Sequence, residues 1–319
     1  MKGRYFTYLL AAVLFASCNG QLDTDSGELI GLRAGASDLQ IETRSVVAAS
    51  PYRGSEPTEA APLDAAVWLS LTSGTYGTGG TAPTFLPCRS SAHFTSSTLT
   101  YPADALRYPA DNVTPVYCIG LYPQSGWTPN GAGTSVTHAI DGETDLMFAS
   151  ERSGNGSTLI TPLVFNHMLT WLKLCICAHE ADAIESWGAV TELSVQNPGD
   201  QITVTLGSGD AASGGSPQLL KAYEGSTVLK VISQQLGSLF CAPAISYDIT
   251  VKTVNLPAGK TVNVNLTKMD GTTPTVADIT GKVIVVTLTF LPLNMIDASC
   301  TLVDWEDEYE KLIGVTPTP

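Results

Sequence analysis

The chain has 319 residues, a formal net charge of −14, 44% hydrophobic residues and only 14% charged ones. That balance excludes a wholly disordered chain, which lacks the apolar surface needed to offset the entropy of ordering. It also argues against nucleic acid as a partner, because tracking phosphates needs clustered Lys and Arg and no basic run of five or six residues occurs.

Residues 1–18 read MKGRYFTYLLAAVLFASC. Lys2 and Arg4 form a positive n-region, and Tyr5 to Phe15 is an apolar stretch shorter than the ~20 residues of a spanning helix. Ala16 and Ser17 are the small residues a signal peptidase requires, and Cys18 follows them. The segment resembles a bacterial lipobox, with Cys18 lipidated and made the new N-terminus; Phe15 stands where such boxes usually carry Leu. The alternative is an ordinary signal peptide that contains a Cys. No second apolar stretch of ~20 residues follows, so acyl chains alone would hold the mature protein. Loss of Lys2 and Arg4 takes the charge to −16.

Residues 19–28 read as a polar tether. Two short strands are predicted next, Leu29 to Gly35 and Leu39 to Arg44, the second alternating Leu39, Ile41 and Thr43 against Gln40 and Glu42. Ser50 to Pro62 is a Pro- and Gly-containing loop. Ala65 to Thr72 is a firm strand, and mixed β-like material follows from Thr84. Further strands are predicted at Thr114 to Leu121 and Asp145 to Ser150. The polar stretch Glu151 to Ser157 is the expected domain boundary. In the second half, strands are predicted at Leu163 to His167, Leu169 to Ala178, Ala189 to Val195, Gln201 to Leu206, Val228 to Ser233, Tyr247 to Val254, Thr261 to Leu266, Lys282 to Phe290 and Ala298 to Trp305. Residues 207–218 read as a loop. The one predicted helix is Ala181 to Gly188, closed by Gly188 as C-cap. Strands recurring every 8–15 residues with turns between them predict an all-β chain of two β-sandwich domains.

No catalytic signature has the right spacing: GxSxG, HExxH, a P-loop and GxGxxG opening a helix are all missing, so no enzyme and no cofactor is expected. Gly77 to Gly80 reads as a plain loop. No CxxC pair occurs and the four His lie far apart, so no metal site is expected. Asp141, Glu143 and Asp145 lack the residue order of a Ca²⁺ loop and read as a turn. His167 reads as a buried, hydrogen-bonded core residue. Besides Cys18 there are six cysteines, enough for three disulfides, but Cys118, Cys175 and Cys177 sit in apolar strands and read as buried free thiols.

The block LVFNHMLTWLKLCICA carries an F-x-H-x-hydrophobic signature. With the lipoprotein signal, VWLSLTSGTY, PTFLPCRSSAHFTSS, YPADNVTPVYCIGLYPQSGWT, HAIDGETDLMFA, KVIVVTLTFLPLN and the terminal CTLVDWED, it resembles the fimbrillin-like (type V pilin) family of Bacteroidetes over nearly the whole mature chain. The resemblance implies two transthyretin-like β-sandwiches, divided here into residues 45–155 and 156–319. It also implies export as an outer-membrane lipoprotein, then removal of the leader 19–44 by an Arg-specific protease. Other pilin subunits, including copies of itself, are the implied partners: a strand from another subunit fills the vacated groove and an extracellular fimbrium grows, supporting adhesion to a host or bacterial surface. Arg44, which follows LQIET directly, is the expected cleavage site. Arg33 is the alternative, and Arg53 lies in a loop distant from the strand to be released. Cutting after Arg44 would leave a subunit of charge −13. The expected donor strand is near the C-terminus, with Cys300, Leu302, Val303 and Trp305; the other reading is that this strand simply completes the second sandwich. Competing roles are a tip or accessory adhesin, a growth-terminating anchor, or a glycan-binding surface lipoprotein. The last would need exposed aromatic platforms, whereas the five Trp sit mostly in strand-like context.

Overall fold

The computed structural model describes residues 63–76, 89–95, 98–100, 108–161, 163–267 and 272–303. The first half contains β1 (Leu63–Ser70), β2 (Arg89–Thr95), β3 (Thr98–Thr100), β4 (Val116–Tyr122), β5 (Thr128–Pro129), β6 (Ser135–Ala139), β7 (Met147–Gly154) and β8 (Phe165–His167). The second half runs through β9 (Thr170–Ala178), α1 (Ala181–Trp187), β10 (Val190–Asn197), β11 (Gln201–Thr205), β12 (Ala211–Gly214), β13 (Gln218–Thr227) and β14 (Gln234–Cys241). It ends with β15 (Ser246–Thr253), β16 (Lys260–Asn265), α2 (Val276–Ile279), β17 (Val283–Leu291) and β18 (Met295–Val303). The chain is all-β, with two short helices among the described residues.

These strands make four sheets, ordered β3-β2-β1-β4-β7-β8, β12-β11-β6-β5, β14-β9-β17-β18 and β13-β10-β15-β16. The last two pack face to face. Leu172, Leu174 and Ile176 of β9 and Ile284, Val286 and Leu288 of β17 point inward at period two, meeting Leu193, Val195, Ile249 and Val251. β9 and β17 pair in parallel, from Val283 opposite Trp171 to Phe290 opposite Ala178. They are the two central strands of their sheet, which is why both read as near-continuous apolar runs.

The two halves are interleaved rather than strung end to end. β11 pairs with β6, Gln201 opposite Ala139 and Thr205 opposite Ser135, so a hairpin from beyond residue 200 completes the sheet begun by β5 and β6. The chain crosses between the halves again at Met168–Leu169, where β8 of one sheet leads into β9 of another.

Several expectations are corrected. Val228 to Ser233 is a loop and not a strand; the strands here are β13 and β14 on either side, which carry too many Gly, Ser and Gln to show clean alternation. Residues 207–218 contain β12. Within the polar stretch Glu151 to Ser157, Glu151 to Gly154 continue β7, where Arg152, Ser153 and Gly154 pair with Cys118, Tyr117 and Val116 of β4; the Glu151 carboxylate accepts from Ser73 Oγ (2.5 Å), Gly74 N (2.7 Å) and Tyr76 Oη (2.8 Å). A second helix, α2, has a reciprocal capping box between Thr275 and Asp278, a T-x-x-D spacing that was visible in the sequence. α1 ends as expected: Gly188 takes φ 71°, where a side chain is strained, and its N–H reaches Ile184 O. The predicted strands at 29–35 and 39–44 lie outside the described residues.

Candidate assembly surface

The central strands of the six-stranded sheet, β1 and β4 with the start of β7, are buried on both faces. Ala66, Trp68, Ile119, Leu121 and Phe148 face the core shared with Val136, Ile202 and Val204 of the smaller sheet. The opposite face, built by Ala65, Val67, Leu69, Cys118, Met147 and Phe165, is equally inaccessible, none of these exceeding 1% exposure. Gly120 lies on this second face and has no room for a side chain: a Cβ there would sit 2.5 Å from the Phe165 ring and 3.0 Å from Ala149 Cβ. Burial drives the Cys118 thiol pKa well above its ordinary range, with the Glu151 carboxylate adding to the effect, so it is an inert core thiol.

At the edge of this sheet His167 Nδ1 donates to Asp145 Oδ2 at 2.6 Å, with side-chain exposures of 10% and 0%. His167 is thus the hydrogen-bonded core residue expected. Asp145 Oδ1 is buried with no hydrogen-bond partner, so the His167 bond to Oδ2 carries the carboxyl group's pairing among the described residues. Asp141 is a turn former: its Oδ1 accepts from Glu143 N (2.8 Å) and Thr144 N (2.7 Å), and its Oδ2 from Thr144 Oγ1 (2.7 Å). Partial burial would raise its pKa, but the bonds from Thr144 and Glu143 outweigh this and hold it below the ordinary value.

Cys300, Leu302 and Val303 lie together on β18, which pairs with β17 over nine positions: Val286 with Cys300, Ile284 with Leu302 and Val283 with Val303. β18 is the last strand of its sheet, so among the described strands its second edge has no sheet partner. Ile296, Ala298 and Cys300 are only half-buried against the core. Cys300 and Leu302 line an apolar pocket with Leu266, Pro274, Ile279 and Ile284, at the open seam between the edge strands β16 and β18. Cys118, Cys175, Cys177, Cys241 and Cys300 are free thiols. Cys18, Arg33, Arg44, Arg53, Cys88 and Trp305 lie outside the described residues. Among the described residues no group of three His, Cys, Asp or Glu could hold a metal, and no helix is long and apolar enough to cross a membrane.

Solved structures share this fold. A "putative cell adhesion protein" of Bacteroides uniformis superposes with a TM-score of 0.55 at 16% identity, covering 87% of this chain and 98% of its own. A second "putative cell adhesion protein", from Bacteroides ovatus, gives 0.51 at 12% identity, covering 88% of this chain and 98% of its own. No protein-family model and no curated protein matches the chain. At these identities the likeness establishes the architecture.

Proposed function

We propose that this chain is a structural subunit of cell-surface fimbriae that serve adhesion. In this reading it is exported as a lipoprotein through Cys18, cut after Arg44, and polymerised by strand exchange. The observation that carries the reading is the double burial of β1, β4 and the start of β7 in the six-stranded sheet. Its second face is a continuous apolar surface that the sister sheet does not cover, of the kind a removable leader strand would protect. If the leader covers that face, its release would uncover it together with any backbone N–H and C=O groups it pairs. A strand from another subunit then restores both the hydrogen bonds and the burial. The donor in this reading is the C-terminal stretch with Cys300, Leu302, Val303 and Trp305, of which Cys300 to Val303 lie on the edge strand β18. Donor and acceptor are different surfaces of like subunits, so the contact propagates instead of closing. A fold shared with proteins named for cell adhesion supports the same reading.

The test is N-terminal mass spectrometry of assembled fibres together with an Arg44→Ala variant. We expect fibre subunits that begin at Ser45, and an Arg44→Ala precursor that keeps its leader and forms no detergent-resistant ladder. A precursor that stays monomeric after complete cleavage overturns the assembly reading. Normal ladders from Arg44→Ala overturn the site.

A further inference from the structure

The outward face of the β14-β9-β17-β18 sheet is closed off at one end only. β9 turns Trp171, Lys173, Cys175 and Cys177 to this face, away from the inward Leu172, Leu174 and Ile176. Trp171 and Lys173 are each 1% exposed, Phe240 of β14 is 2% exposed and Val283 of β17 is 0% exposed. Further along, Cys175, Cys177, Thr287 and Thr289 are only half-buried, and Ser299 and Thr301 of β18 are exposed. The Lys173 ammonium stands over the Trp171 ring, 3.9 Å from its centroid, and that ring stacks on Phe240 with centroids 6.0 Å apart. Enclosing a lysine to this degree is costly. The ring face offsets part of the lost hydration, and a carboxylate is the partner that offsets the remainder best.

The four strands of this sheet bring no carboxylate close to Lys173 on that face. Its cross-strand neighbours are Ser238 of β14 and Val285 of β17. The adjoining rows hold Phe240 and Val283 on one side, Gln235 and Thr287 on the other. The one acid of these strands is Asp297, exposed, in the row of Thr289 and Cys177, four residues along β9 and about 13 Å away. A run of acids follows β18 instead. Asp304, Glu306, Asp307, Glu308 and Glu310 put five carboxylates into the seven residues directly after Val303. Val303, Val283, Trp171 and Phe240 occupy one row across the sheet. β18 therefore ends two strands from Trp171, about 10 Å away, a gap that about three extended residues span.

We infer that the closed end of this face is the docking site of the acidic stretch Asp304–Glu310 of the same chain, latched by an ion pair between one of its carboxylates and Lys173. Charge complementarity and the point at which β18 ends select this segment. The short tether selects the chain's own copy over a neighbour's, because it makes the contact intramolecular at a high effective concentration. The consequence for assembly rests on the fimbrial reading. The docked stretch adjoins the proposed donor residues, so the latch holds the donor on its own subunit, and strand exchange has to open the Lys173 contact first.

Zero-length carbodiimide coupling of the purified full chain, with the joined peptides mapped by mass spectrometry, tests the contact. The expected product links Lys173 to a residue of Asp304–Glu310 within the monomer band. A variant with the five acids changed to amides (Asp304→Asn, Glu306→Gln, Asp307→Asn, Glu308→Gln and Glu310→Gln) leaves every described strand untouched, and its folding is checked by thermal unfolding. Its Lys173 should be acylated by an amine-reactive ester about tenfold faster than in wild type, the loss expected for a charge-assisted bond. Coupling of Lys173 to another acid, coupling found only between two chains, or a Lys173 equally protected in the variant overturns the proposal. Detergent-resistant ladders after Arg-specific cleavage give the separate reading on assembly. They should form about tenfold faster from the variant, and an unchanged rate would overturn the latch. Ladders absent from wild type and variant alike, with the Lys173 coupling intact, would sink the fimbrial reading and leave the docking site standing.

Discussion

At the residue scale, the buried polar groups carry the sharpest consequences. Asp145 is fully enclosed, and among the described residues its one donor is His167. Removing that donor leaves a buried carboxylate unpaired, so His167→Ala should cost about 3 kcal/mol, read from urea midpoints. His167→Gln, which keeps an N–H donor, should cost less. Asp141 tests the turn that precedes this pair. Its folded pKa is depressed, so its contribution is present above the unfolded value of about 4 and is lost as pH falls through the folded value. Asp141→Ala should therefore destabilise by about 1 kcal/mol at pH 7, and the gap to wild type should close in denaturation measured well below that unfolded value. Both roles were partly legible beforehand: D-G-E-T is a turn spelling, and an apolar strand around a single His argues for a satisfied core residue. The identity of the partner was not legible, because 22 residues separate Asp145 from His167 and only strand pairing joins them.

At the element scale, the long apolar runs β4, β9 and β17 declare themselves, because central strands need little alternation. β13 and β14 do not, since half-exposed strands rich in Gln, Ser and Gly gain their stability from pairing rather than composition. Gly120 shows how tightly β4 is fitted against β8. Gly120→Val should lower stability by about 3 kcal/mol by driving a side chain into Phe165 and Ala149, checked by thermal melting beside a Gly131→Ala control, where nothing lies within 4 Å. The C-terminal strand was expected near Ala298 to Trp305, and β18 occupies Met295–Val303. Its pairing with β17 places Cys300, Leu302 and Val303 in a sheet of their own chain. Use as a donor, as proposed, would then require either peeling from β17 or offering the second edge.

At the scale of the whole molecule, the interleaving governs stability. Strands β11 and β12 belong by sequence to the second half and by pairing to the first. A fragment of residues 156–319 would carry this hairpin with no β6 to receive it, leaving a long bare strand edge. We expect that fragment to aggregate or bind a hydrophobic dye, while the full chain loses both sandwiches in one calorimetric transition. Two separated transitions in the full chain would show that the hairpin contributes little across the junction.

The sequence by itself determined the chemistry of this protein: an acidic, β-rich, Gly- and Pro-punctuated chain with strands of period two. Those properties are local, arising from side-chain size, charge and backbone preference at neighbouring positions. Tertiary structure alone decided which strands meet. It brought β11 to β6, joined Asp145 to His167 and buried both faces of β1 and β4. Each of these is a contact between residues far apart in sequence, selected by the burial of whole faces, and no local pattern encodes it.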